Sequence, residues 1–303
     1  MKEKYKLPEN LTHDMGGEGD NLDGRMRNVL ELLEEAPLAS LTTVLDIGAG
    51  KGQVLKWFSQ RGKKCTGIGL EIESYGANLK EFKEKHDIDV VEGAIEKMPF
   101  PKKSFDGVVM SHILEHCPNI GLALAETKRV LADNGWLFIF VPPHEDRIAG
   151  GHIATGWNIG QLMYVLLVNG FDVKNGRFIK YGYNICGFVQ KNKRPLPPLR
   201  HDQGDVYILQ KEGFFPAPIK TADGQNDGYF GDIKSINWNP ESKIIQKIKG
   251  VPKNNNKILY AIKISLFNIS KHIPERVKDV LSLLLSNRKN DGNNTINPEI
   301  LRG

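Results

Sequence analysis

Between residues 40 and 190, short apolar runs alternate with amphipathic stretches. That alternation restricts the chain to parallel βαβ units whose sheet is covered on both faces. TTVLDI, KKCTGIGLEI, DIDVVEG, SFDGVVMS and WLFIFVPP read as strands, the last stopped by Pro142 and Pro143. Between them, KGQVLKWFSQRG, SYGANLKEFKEKH and NIGLALAETKRVLADNG carry apolar residues at helical spacing. Gly62 closes the first of these helices, Ser74 suits the cap of the second, and the third is expected to run to Asn134–Gly135. An earlier helix, NLDGRMRNVLELLEEA, ends at Pro37. After Pro143 comes a polar, Gly-rich loop, HEDRIAGGHIATG, then a helix at WNIGQLMYVLLVNG. The β-rich runs FDVKNGRFIKYG and YNICGFVQK are expected to pair antiparallel at one edge of the sheet.

Composition narrows the class. Apolar residues make up 40% of the 303 and charged residues 25%, as in an ordinary globular protein. The N-terminal stretch lacks the apolar core of a signal peptide, and no apolar run has the length of a membrane span. Three isolated cysteines (Cys65, Cys117 and Cys186) suggest a reducing, cytoplasmic setting. The net charge of +5 is uneven: residues 241–303 hold 12 Lys and Arg against 5 Asp and Glu, leaving 29 against 31 elsewhere. A uniformly basic nucleic-acid-binding body is therefore not indicated. The basic tail suits peripheral contact with an anionic membrane surface, or, through helix candidates within 256–290, a homodimer. Three prolines, Pro195, Pro197 and Pro198, mark a boundary. We expect a lead-in and helix over 1–38, a main domain over 39–192 and an extension over 193–303 that supplies acceptor specificity or oligomerisation.

The stretch VLDIGAGKGQ, Val44 to Gln53, carries the first chemistry. A nicotinamide site would show G-x-G-x-x-G. Here the third glycine falls one place early, at Gly52, and an acid, Asp46, closes the strand. A pyrophosphate wants backbone N–H groups and no carboxylate beside it. A cationic or hydroxyl-bearing ligand fits better.

This stretch resembles the first motif of the Rossmann-like, class I S-adenosylmethionine-dependent methyltransferases, of the methyltransferase-11 type. GLEI adds Glu71, where that family places an acid on the ribose hydroxyls. EGAIEKMPFPKKSFDGVVMSHILEHCPN is similar to the family's middle region, including Phe105–Asp106 and the cluster His112, Glu115 and His116. The resemblance covers about residues 40–190. It implies a seven-stranded, mostly parallel sheet in the order 3-2-1-4-5-7-6 and S-adenosylmethionine as cofactor. The residues it assigns to cofactor binding are Asp46, Gly48, Ala49, Gly50, Gly52, Gln53, Glu71, Ile72, Ala94, Ile95, Ser111, His112 and His116. At Ala94 the family often has an Asp for the adenine amino group; here adenine would rely on apolar packing and the Ile95 backbone N–H.

The acceptor is read from the groups around the methyl. A sugar hydroxyl needs a general base. His144 and His152 lie just past the fifth strand, and His112 past the fourth, so these three are the candidate catalytic residues. His144 or His152, with Glu145 or Asp146, could also hold a divalent cation, but the spacing is no metal signature and assigns none. The chain reads MSHILEH where DNA amino methyltransferases carry D/N-P-P-Y/F/W, which argues against a nucleic-acid substrate. Beyond residue 190, Phe214, Phe215, Tyr229, Phe230 and Trp238, with Asp202, Asp205, Asp223, Asp227 and Asp232, suit stacking and hydrogen bonding to a carbohydrate. The layout is loosely similar to bacterial surface-glycan methyltransferases. O-methylation of a sugar hydroxyl or sugar-linked intermediate is the expected reaction. A lipid, quinone or other small-metabolite acceptor is the alternative, and a non-catalytic cofactor-binding partner the alternative of a different class.

Overall fold

The computed structural model describes residues 24–70, 79–144, 151–153, 156–216 and 238. Seven strands form one sheet: β1 Thr43–Ile47, β2 Lys64–Gly69, β3 Asp89–Glu92, β4 Phe105–Ser111, β5 Leu131–Val141, β6 Phe171–Tyr181 and β7 Asn184–Lys191. Their order is β3-β2-β1-β4-β5-β7-β6. The first five run parallel, and β7 pairs antiparallel with both β5 and β6. The expected order and the antiparallel edge are therefore found. Tyr181 pairs with Asn184, leaving a two-residue turn in which Gly182 takes a positive φ of 56°.

The described helices are α1 Gly24–Leu33, α2 Gln53–Ser59, α3 Leu79–His86, α4 Ile120–Val130, α5 Ile159–Val168 and α6 Gln203–Lys211. Asn119 caps α4 by accepting from the Leu122 N–H at 3.0 Å, and Asn158 caps α5 by accepting from Gln161 at 2.7 Å. Two apolar clusters fill the space between helices and sheet. One centres on α4, α5 and residues such as Leu137, Ile139 and Phe178; the other on α1, α2 and residues such as Phe58, Phe138 and Phe188.

The sequence reading misplaces one boundary. The fourth helix stops at Val130 rather than at Asn134–Gly135, and β5 begins at Leu131. Leu131 is fully buried and pairs with Phe105, while Gly107 pairs with Trp136. The intervening residues bulge out of the ladder, which leaves Asp133 and Asn134 exposed. Burying Leu131 outweighs its helical propensity.

The chain divides into two compact units, Met1–Ser242 and Lys243–Gly303. All of the second unit lies outside the described residues, as do the expected cap Ser74, Tyr229 and Phe230. Within the first unit, the residues expected to stack on a carbohydrate do something else. Phe214 and Phe215 are 3% exposed and belong to the first apolar cluster. Trp238 is 4% exposed and packs on Phe188 at 4.4 Å between ring centroids. Asp202 caps α6 through the Gly204 N–H, and buried Asp205 accepts from the Arg200 and His201 N–H groups. These aromatic rings are core and these carboxylates are structural, because a strongly apolar ring is worth more buried than displayed. Among the described helices, none is long and apolar enough to cross a membrane.

Candidate functional site

In an open α/β sheet, ligands bind beyond the carboxyl ends of the strands where the order reverses. Here that point lies between β1 and β4, because the chain builds outward from β1 in one direction and from β4 in the other. Both strands deliver motif residues to it.

The turn after β1 has three glycines with positive φ: Gly48 at 76°, Gly50 at 47° and Gly52 at 73°. The N–H groups of Gly48 and Ala49 donate to the Ile68 carbonyl, and Gly52 N–H donates to Ala49. The turn is thus tied to the end of β2 by its own backbone. A Cβ on Gly48 would run into the Ile113 side chain, and one on Gly52 into the Phe82 ring. These two glycines make room for protein. At Gly50 an added Cβ would meet only the Gly48 carbonyl at 3.8 Å. Gly50 is the position where a ligand can approach the backbone. Gln53 opens α2, and Asp46 is 3% exposed. Burial pushes the Asp46 carboxyl up to about 8.

The loop after β4 begins at His112, whose φ of 55° is rare for a residue with a side chain. Its N–H donates to the Phe140 carbonyl at 2.9 Å, which ties the loop to β5. Its Nε2 lies 2.9 Å from Asn184 Oδ1, and Asn184 Nδ2 donates to the Arg25 carbonyl at 3.0 Å. That second bond fixes the amide, so His112 Nε2 donates to Asn184 Oδ1. Nδ1 faces Glu115 Oε1 at 3.2 Å. Glu115 itself is fully buried. Ser111, at the end of β4, has a buried hydroxyl without a hydrogen-bond partner among the described residues.

His152 joins this loop, its ring at 4.9 Å from that of His116. The Ile153 N–H donates to the Glu115 carbonyl at 2.7 Å, which pins the segment after β5 against the loop after β4. His144 is exposed and stands outside the Glu115, His116 and His152 group. Of the histidines expected to act, His112 lies against Glu115 and His152 against His116, while neither His112 nor His144 belongs to the Glu115, His116 and His152 group. Ala94 is exposed, and Ile95 packs half-buried on the core. Glu71, Ile72, Glu145 and Asp146 lie outside the described residues. Asn184 was not legible as a site residue. Its only sequence signal is a polar side chain opening the strand run NICGFV.

Residues 45–139 match the model of a methyltransferase domain. That match supports a class I methyltransferase domain, and the observed sheet order is the one its resemblance implies. An uncharacterized protein of Methanocaldococcus jannaschii is 40% identical over 174 residues, covering 56% of this chain and 61% of the relative. An uncharacterized methyltransferase of Bacillus subtilis is 31% identical over 94 residues, covering 30% of this chain and 37% of the relative. The chain thus spans less than two thirds of either. A solved methyltransferase structure from Aquifex aeolicus is similar at a TM-score of 0.49 and 20% identity, over 61% of this chain and 98% of that one.

Proposed function

We propose that this chain transfers a methyl group from S-adenosylmethionine to the hydroxyl oxygen of an acceptor. One juxtaposition carries the reading. The Gly48–Gly52 turn closing β1 packs through Ile113 on the His112–His116 loop closing β4, at the sheet's switch point and within the matched methyltransferase segment.

The residues present fit the cofactor. Gly50 leaves backbone open to a ligand, on the turn that follows the strand carrying the buried acid Asp46. Asp46 would balance the cofactor's positive charge, and Glu71 would hold the ribose hydroxyls. When bound, the cofactor supplies a methyl group already made electrophilic by its sulfonium. The chain's work is then to hold the acceptor in line and to take its proton. The His112–Glu115 pair is the base in this reading: Asn184 holds Nε2, and the acceptor's proton comes to rest between Nδ1 and Glu115 Oε1, 3.2 Å apart. Glu115 stabilises the imidazolium that forms. The acceptor oxygen gains the methyl, sulfur keeps the electron pair, and the products are a methyl ether and S-adenosylhomocysteine.

The polar cluster favours a hydroxyl acceptor, whose proton is far less acidic than an ammonium's and must be taken up by a base during transfer. A sugar hydroxyl belongs to this class. With Phe214, Phe215 and Trp238 in the core, that narrower choice rests on the polar cluster alone.

Calorimetric titration with S-adenosylhomocysteine tests the reading. The parent protein should bind one equivalent. Gly50→Val, which places a branched side chain on the open face, should weaken binding at least about tenfold, as expected when a side chain blocks a close backbone approach. A parent protein that binds neither S-adenosylmethionine nor its product would sink the proposal.

A further inference from the structure

We propose that Glu115, His116 and His152 bind one divalent transition-metal cation. The cation's open positions take the acceptor hydroxyl. This deepens the methyl-transfer reading and rests on it for the acceptor, but not for the cation.

One ligand atom from each of the three residues lies within 4.8 Å of the others. That separation can close around a single ion with small side-chain movements. The protonation pattern around them is informative. Glu115 is fully buried, and neither carboxylate oxygen accepts a hydrogen bond among the described residues. A carboxylate so placed requires a positive partner. Its nearest ring, His112, lies with Nδ1 3.2 Å from Oε1 but outside hydrogen-bond geometry, so both oxygens keep lone pairs for a further partner. His116 Nδ1 lies 2.7 Å from the Gly151 carbonyl, which can only accept, so Nδ1 carries the proton and Nε2 is left as a ligand. Lone pairs therefore converge here. The Gly151 contact also does what carbonyls do behind metal-ligating histidines: it fixes the tautomer and the ring orientation.

The site is built rather than incidental. The Ile153-to-Glu115 backbone bond and the His116-to-Gly151 bond join two segments that follow different strands, and together they bring His152 to His116. Access comes from the exposed His116 side. Two imidazoles with one carboxylate suit manganese, iron, cobalt or zinc better than magnesium or calcium. Three protein ligands leave coordination positions open, which is the arrangement of a catalytic rather than a structural metal. A hydroxyl bound there becomes more acidic next to His112 of the proposed base pair.

Untagged protein, stripped with chelator and free of cofactor, should bind one equivalent of cobalt(II), read from its visible absorption band. Glu115→Gln and His152→Ala should each weaken binding at least about tenfold. Melting temperatures taken without metal report whether each variant folds. No stoichiometric binding by the parent overturns the site. Binding unchanged in a folded Glu115→Gln or His152→Ala protein overturns it too. Cobalt binding in a protein that fails to bind S-adenosylhomocysteine would support the cation site and count against the methyl-transfer reading alone.

Discussion

Asp46 carries the pH dependence that can be worked out at one residue. Burial raises its carboxyl from 3.8 to about 8. Between those values the native chain keeps a proton that the unfolded chain has released. Stability of the cofactor-free protein should therefore fall as pH rises through this window, by at most about 1.4 kcal/mol per unit for this one group, and level off above it. Asp46→Asn should flatten that slope in denaturant titrations run from pH 5 to pH 8; an unchanged slope would show that another group sets it. The cofactor should respond in the opposite sense, since the ionised carboxylate is the form that balances its charge. Affinity for S-adenosylmethionine, which carries the sulfonium charge, should rise toward pH 8 in the parent protein and stay level in Asp46→Asn. The sequence places Asp46 at a strand end beside the glycines, which is enough to nominate it. It does not reveal the burial, because that depends on β2 and β4 flanking β1 on both sides. The glycines show the same limit. Their spacing marks the turn, but only the folded chain distinguishes Gly48 and Gly52, crowded by Ile113 and Phe82, from the open Gly50.

Between elements, the decisive contact joins the loop after β4 to the start of β7. His112 and Asn184 are 72 residues apart, and Asn184 reaches on to Arg25 in α1. Nothing local in the sequence encodes a pairing at that separation, so Asn184 escaped the sequence reading while His112 did not. Asn184 is a positioning residue in the proposed mechanism. Asn184→Leu removes the acceptor that holds the ring, and should lower kcat by about ten- to a hundredfold, within the range that general-base catalysis contributes. The KM for S-adenosylmethionine should hardly move. Asn184→Asp keeps the acceptor oxygen and should recover part of the loss, whereas a purely structural role would predict equal damage from both, seen as matching drops in melting temperature. The strand alternation was far more legible than such contacts. Each βαβ unit follows from a local pattern, and the right-handed crossover then fixes the direction of growth. Where the pattern failed, at Leu131, the competing cause was a pairing with Phe105 in a different element.

For the molecule as a whole, composition gives charge distribution but not which surfaces are buried. Phe214, Phe215 and Trp238 looked like a binding platform from their density, yet they complete the apolar clusters against the sheet. Phe214, Phe215 and Trp238 therefore pack with the core of the first unit, Met1–Ser242. The three cysteines are also interior and free, and burial pushes the Cys65 and Cys117 thiols up to about 12. The basic excess, by contrast, falls almost wholly in the second unit, since residues 241–303 hold 12 Lys and Arg against 5 Asp and Glu. The basic excess and the proposed cofactor site thus fall in different units of the chain. The glycine turn, the His112–His116 loop, Asp46 and the core aromatics all belong to the first unit. A chain ending at Ser242 should therefore fold, with a cooperative melt, and bind S-adenosylhomocysteine within about twofold of the parent affinity, less than 0.5 kcal/mol. The same truncation should lower retention on a heparin column, because the remaining residues carry more acidic than basic side chains. A truncated chain that melts cooperatively but has lost the ligand would move part of the cofactor site into the second unit, and the assignment of binding to the β1 and β4 loops alone would fail.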